Sequence, residues 1–579
     1  MRTELRADGW ETAGGVSARG AAVDGAAYYP AAALAERFAE AASGPDPAES
    51  IAALASALEG FFAAVVPAAA ATYLVADRAR SIPLYYATDG RIVSDRGRLV
   101  REATDADADP VAESEFLLTR YVTGPETVWA GVAATRPGEV VALADGGVRR
   151  DRYWAYWPAG TDPPEDPLGT LRSGFETALD RLERVADGRP IVVPLSGGHD
   201  SRLLAAGLRA RGHEVVTFTF GRSGHPDVEV SREVAARLGV RWEFVPYDAA
   251  TWREAYHGAD CERYRTWAFG GDALPFLAEW PAVHRLVATD RVPDDALFCP
   301  GHTVATPSER LPVFVGEPPR GAGDVDSDQT ERADRADLEA ADEPIDPTID
   351  ALVDRILERR HSLWDFDDDA FAAAARERIR RGALGCRDSD AVADPETAAA
   401  AYERWEWAGR MTTFTNGDLR VYEDAGLEWW LPLWDPAYVR AWERLPLASR
   451  RNKRLHAALA AEYYRSAGDV TADRAGVTDR SLSALDRHLS LVRHTPARQF
   501  TERGGDWAPP FLAPRSAWTE PGSHPLAWDG AVLPELLEAF EEPPGFYPLR
   551  TLAATGRLDL ADPTAAVPTD GTIALPTEE

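Results

Sequence analysis

The sequence predicts an α/β protein: a parallel, doubly wound sheet in the middle of the chain, a β-rich domain before it and a mainly helical portion after it. Two observations carry this. From about residue 168, strands apolar on both faces alternate with helices, the pattern of a sheet covered on both sides. Residues 1 to 158 instead show short apolar runs punctuated by Gly and Pro.

Taken in order, the first domain offers strand-like pieces at 60–66, 71–76, 82–86 and 139–143. The breakers Pro163, Pro164 and Pro167 then suggest a linker over 158–167. An amphipathic helix over 171–185 leads to the apolar run Ile191-Val192-Val193-Pro194-Leu195, a glycine loop and a helix over 201–211. Strand 215–220, helix 227–238 and strand 242–245 complete a βαβαβ unit, whose right-handed crossovers place the strand-to-helix loops on one edge. Ligands bind at that edge. An acidic stretch over 317–350 with almost no aliphatic residues reads as a flexible insertion, and a mainly helical region follows from about 349 to 467. The domains expected are 1–158, 168–500 and 501–579, the last an extension in part too Pro/Thr-rich to order.

Length and composition narrow the function classes. A chain of 579 residues divides into two or three domains. No apolar run reaches the roughly 18 residues of a membrane span, and the amino terminus lacks a secretory pattern, so a cytoplasmic protein is expected. The net charge of -32 would repel nucleic acid and anionic lipid, arguing against either as partner. Cys261, Cys299 and Cys386 form no metal-ligand or disulfide spacing and read as reduced thiols. Of the 62 basic residues one alone, Lys453, is a lysine. A dense carboxylate surface with lysine nearly eliminated suits a protein hydrated at very high salt, so a halophilic host is expected. Where general pressure removes lysine, the survivor marks a place that needs a compact ammonium.

The chemistry centres on Ser196-Gly197-Gly198-His199-Asp200-Ser201. A loop between a strand and a helix amino terminus presents free N–H groups to an anion, and the helix dipole favours negative charge. Gly197 and Gly198 let the backbone approach a phosphate, and Ser196 and Ser201 add hydroxyls. Asp200 beside a phosphate is repulsive unless a cation bridges them, which makes it a candidate Mg2+ ligand.

This loop, with Thr217-Phe218-Thr219-Phe220-Gly221 and the helix after it, resembles the SGGxDS motif of the ATP-pyrophosphatase (PP-loop, adenine nucleotide alpha hydrolase-like) fold, and in particular the asparagine synthetases. The resemblance continues at Leu431-Pro432-Leu433-Trp434-Asp435 and at Asn452-Lys453-Arg454-Leu455. It implies that Phe218 and Phe220 line an adenine pocket, that Ser196, Gly197, Gly198, Asp200, Ser201 and Gly301 bind ATP or pyrophosphate, and that Lys453 contacts the phosphates and the forming adenylate. Trp429, Trp430 and Trp434 read as core packing. More weakly, Gly60-Phe61-Phe62, Asp77-Arg78, Pro83-Leu84-Tyr85-Tyr86, Thr127 and Pro137-Gly138-Glu139 resemble the family's glutamine-hydrolysing domain, an Ntn-hydrolase-like α+β fold.

Two departures matter. The family's glutaminase uses an amino-terminal cysteine, where this sequence has Arg2 after Met1, so glutamine hydrolysis is not expected. The loop from Phe298 to Ala305 places His302 and Ala305 where the family's SGxGxDE pattern has acidic residues; His302 could act as a base, and Glu309 or Asp272 could supply the missing carboxylate. The implied protein is an amide-forming ligase that uses ATP and Mg2+ to adenylate a small carboxylate, aspartate or another acid, and passes it to ammonia or an amine; a homodimer is compatible with it. The alternatives are amidation of a different acid, and a weakened nucleotide-binding protein that regulates or scaffolds a partner.

Overall fold

The computed structural model describes residues 1–144, 147–317, 343–363, 366–475, 526–527 and 546–553. The core of the acidic stretch and nearly all of the carboxyl-terminal extension lie outside the described residues.

The first domain layers two sheets and a pair of helices. Strand Glu59–Pro67 sits centrally in a seven-stranded antiparallel sheet, between Val16–Asp24 and Thr72–Ala76, with Glu139–Ala144 and Gly147–Arg152 continuing one side. Period-2 alternation makes it two-faced. Phe62, Ala64 and Val66 pack on helices Ala31–Ala42 and Pro47–Ala57, while Ala63 and Val65 meet Leu84 and, in a four-stranded second sheet, Tyr86, Val93 and Ala133. Three of the expected strands are present with boundaries shifted by a residue or two; of 82–86 only the end is a strand, Tyr85–Ala87.

Helix Pro167–Ala186 opens the second domain, with Pro at its first turn and Asp166 accepting from the Gly169 amide at 2.9 Å, a start signal that closes the expected linker. The three expected strands appear as Ile191–Pro194, Val215–Gly221 and Arg241–Pro246, all parallel. Two more that the sequence reading lacked, Leu297–Phe298 and Glu428–Trp429, extend the sheet to five on its other side. The chain therefore winds outward from Ile191–Pro194 in one direction and later returns to build in the other. The reversal lies between Ile191–Pro194 and Leu297–Phe298, in register at Ile191 and Leu297, and the crevice at such a switch point is where doubly wound sheets hold ligands. Because all five strands are parallel, the loops after Pro194, Phe298 and Trp429 meet on one edge.

Helix Arg454–Ala475 runs beside helix His199–Ala210. Ala205, Ala206 and Ala467 share one apolar cluster with Leu195, Val234, Leu238 and Tyr464, and small residues allow the close approach. Among the described residues no helix is long and apolar enough to cross a membrane. The three cysteines are free thiols, Cys261 and Cys299 buried and Cys386 exposed.

Candidate active site

The glycine loop is clasped from within. The Ser196 amide donates to the Ser201 hydroxyl at 3.1 Å, and the Gly198 amide donates to the Ser196 hydroxyl at 3.2 Å. Helix His199–Ala210 begins at Gly198 with no side-chain cap, and the amino terminus of a helix is where backbone N–H groups and the dipole favour an anion. Asp200 lies in its first turn.

Lys453 reaches this loop from the far end of the domain. Its Nζ donates to Asp200 Oδ2 at 2.7 Å and lies 3.0 Å from Glu309 Oε1, while its own amide donates to the Ser308 hydroxyl at 3.2 Å. The side chain is buried, although lysine seldom is without a partner. Asn452 and Lys453 both have left-handed backbone, with φ of 54° and 55°. A non-glycine residue held there costs about 1–3 kcal/mol, and such outliers cluster at ligand clamps and active sites. Arg450, fully buried against Glu403 and Glu396, anchors the approach to this turn.

His456 was missed by the sequence reading. Its Nε2 is 2.8 Å from Asp200 Oδ1, and its Nδ1 pairs with the Tyr438 hydroxyl at 2.7 Å. It lies in the first turn of helix Arg454–Ala475, while Lys453 stands on the left-handed turn before that helix, so the two meet at Asp200 through the turn and not through helical spacing. Burial opposes the charge on Asp200, but Lys453 and His456 outweigh it and hold the carboxyl well below the usual range.

Across the switch point, Gly301 lies so close to the loop that a Cβ there would stand 2.8 Å from the Ser201 nitrogen. Only glycine fits this approach, and it brings His302 beside the phosphate loop. His302 Nε2 is 2.8 Å from Asp418 Oδ2, and Asp418 is buried. Burial alone would lower the imidazole, yet Asp418, Glu279 and Asp200 raise it above its ordinary value. A raised imidazole favours the cationic form over the free base. Burial and the nearby Asp418 push Glu279 up to about 8, and the Tyr422 hydroxyl donates to it at 2.6 Å. Asp418 and Glu279 gave no sequence signal, being far along the chain from His302.

Of the two carboxylates put forward to fill the gap at Ala305, Glu309 is at the site. Asp272 is not: it pairs with Arg80 and accepts from the Tyr85 hydroxyl at 3.0 Å in the contact between domains. Phe220 is partly buried against Tyr247, but Phe218 is fully buried against Phe298 and can shape a pocket only from behind. Trp430 and Trp434 are core residues; Trp434 also packs on the His302 ring at 5.8 Å. Asp435 pairs with Arg181 and caps helix Pro436–Glu443, a structural role.

A glycine loop on a parallel sheet, with an opposed lysine and buried acid–base pairs, marks the candidate site of an α/β domain. Residues 170–259 match the family model for asparagine synthase, and residues 49–154 match that for a glutamine amidotransferase domain. Among curated proteins the chain is similar to asparagine synthetase [glutamine-hydrolyzing] 2 of Arabidopsis thaliana, 38% identical over 117 residues, which cover 18% of this chain and 20% of that one. It is also similar to asparagine synthetase [glutamine-hydrolyzing] 1 of Bacillus subtilis (strain 168), 28% identical over 167 residues, covering 27% of this chain and 26% of that one. The matched stretch thus spans only about a fifth to a quarter of these relatives. A solved glutamine phosphoribosylpyrophosphate amidotransferase from B. subtilis, complexed with ADP and GMP, aligns at 10% identity over 62% of this chain and 74% of that one, with a TM-score of 0.17, too low to bear on the fold. The two domain matches lie in tandem, and with these relatives they make the chain similar to the asparagine synthetases.

Proposed function

We propose that the protein is an ATP-dependent carbon–nitrogen ligase that adenylates a small carboxylic acid, releases pyrophosphate, and transfers the acyl group to ammonia or an amine, with AMP as the second product. The observation that carries this reading is Lys453: the chain's only lysine is buried on a strained turn, its ammonium between Asp200 of the phosphate loop and Glu309.

A carboxylate oxygen of the acid attacks the α-phosphorus of ATP, and the bond to pyrophosphate breaks. The glycine-loop amides and the Ser196 and Ser201 hydroxyls bind the departing phosphates, with Phe220 beside the adenine. Lys453 shifts from its carboxylate partners to the phosphate oxygens, where charge develops, and His302 adds a second positive charge from the opposite side of the crevice. Such charge placed in advance in a site closed to water is the largest source of rate. The amine nitrogen then forms a bond to the acyl carbon, loses a proton and expels AMP. Mg2+ fits this donor set, since it takes one or two carboxylates together with substrate phosphates. Asp200, with Glu309, would hold it, and it would neutralise phosphate charge.

Ammonia or an amine, rather than glutamine, is favoured by the thiols. None of the three cysteines lies in the first domain. Burial pushes Cys261 up to about 12 and raises Cys299 as well, the reverse of what a nucleophile needs. The acid is aspartate or another of similar size.

The test is product analysis with ATP, Mg2+ and ammonium across a panel of acids in concentrated KCl. AMP and pyrophosphate formed in equal amounts, only with one acid present, support the ligase. Nucleotide binding without turnover for every acid would favour a regulatory protein, for which the altered loop with Ala305 in place of a carboxylate is the supporting feature.

A further inference from the structure

The first domain grips the segment that carries Asp418. Asp77 folds a tight turn by accepting from the amides of Ala79 at 2.6 Å and Ser81 at 3.2 Å, and it ties that turn to the sheet through the Phe62 amide at 3.0 Å. The turn's outward carbonyls are taken by the second domain. Asn416 Nδ2 donates to the Arg80 carbonyl at 3.0 Å and to that of Ala79 at 3.3 Å; Arg420 donates to that of Ser81 at 3.0 Å. Arg80, buried and left-handed with φ of 49°, returns its guanidinium to the Thr412 carbonyl at 3.4 Å, the Thr135 carbonyl at 2.7 Å and Asp272.

Asn416 and Arg420 are four residues apart, on one face of the helical stretch formed by Thr415–Asp418 and Leu419–Asp424. Asp418, midway between them, falls on the opposite face, where it holds His302. We propose that the first domain is a positioning device for the ligase site: Arg80 and Asn416 fix the helical turn whose other face sets Asp418 against His302. This rests on the reading of His302 as part of the ligase site, and it gives the first domain a task that needs no nucleophile.

The experiment uses the full chain with 13C-labelled histidine. The titration of His302, its resonance assigned by its loss in His302→Gln, is followed in the unaltered chain, in Asn416→Ala and in Arg80→Lys, alongside kcat and KM for acid-dependent pyrophosphate release. The ionisable groups facing His302 are Asp418, Glu279 and Asp200, and both variants leave all three in place. Each variant should move the His302 titration toward an ordinary imidazole and lower kcat by about tenfold to a hundredfold, with KM for ATP little changed. Arg80→Lys keeps a charge for Asp272, so it still tests the point if Asn416→Ala does not fold. A folded variant with an unchanged His302 titration and unchanged kcat would overturn the proposal. Absence of pyrophosphate release from the unaltered chain would instead sink the ligase reading, and the titration would still decide the positioning.

Discussion

At the scale of single residues, the site is a set of charges that satisfy one another. Asp200 is held by two partners, and Lys453 bridges two carboxylates. An arginine at 453 keeps the charge but brings a broad planar fork to a place that fits a point charge. His302 makes a prediction with a definite sign. Its folded pKa is raised, so the stability it contributes is fully present below the unfolded value near 6.5 and is lost as pH rises through the folded value. Pyrophosphate release should follow the same limb, falling on the alkaline side; in His302→Gln that limb should flatten and the rate near neutrality should drop by about tenfold to a thousandfold. A pH–rate profile of both proteins checks this. Glu279, pushed up to about 8, is neutral at pH 7, so Glu279→Gln replaces it with a near isostere of the form present. Its melting temperature should match that of the unaltered chain near about pH 4 and exceed it at pH 7, because the unfolded glutamate ionises and the glutamine does not, so the decline in stability between about pH 5 and 8 should be shallower.

At the scale of elements, three strands of the central sheet were legible because each is an apolar run long enough to declare itself. Leu297–Phe298 and Glu428–Trp429 were not, since two residues carry no period; they are strands only through pairing beside Ile191–Pro194. They bring the loops after Phe298 and Trp429 to the phosphate-loop edge. His456 was not legible either, since Lys453 stands on a left-handed turn outside helix Arg454–Ala475 and helical spacing does not relate the two. The strained turn at 452–453 depends on its anchor, and Arg450→Leu would leave Glu403 buried without its partner. The expected loss is about 3–5 kcal/mol, measured by chemical unfolding. Gly301→Ala should weaken ATP binding by forcing the loop off Ser201, seen as a raised Kd in calorimetry with the melting temperature less affected.

At the scale of the whole molecule, the net charge of -32 bears on how stability responds to salt. Like charges spread over a surface destabilise the compact state until salt screens them, and the Debye length shrinks to about 3 Å at 1 M. We expect the melting temperature to rise steadily from dilute to multimolar KCl; a flat response would remove the argument for a halophilic host. The two domains share an interface with ion pairs such as Arg80–Asp272 buried in it, so scanning calorimetry should show them unfolding together.

The measurement that bears most directly on the ligase reading is pyrophosphate release from ATP and Mg2+ in concentrated KCl with candidate acids, run on the unaltered chain and on Lys453→Arg, with ATP affinity measured for both. Acid-dependent release that falls by about a hundredfold or more in the variant, while ATP still binds, is the predicted result. Release that survives the substitution at full rate would show that the chain's one lysine is not the residue on which the chemistry turns.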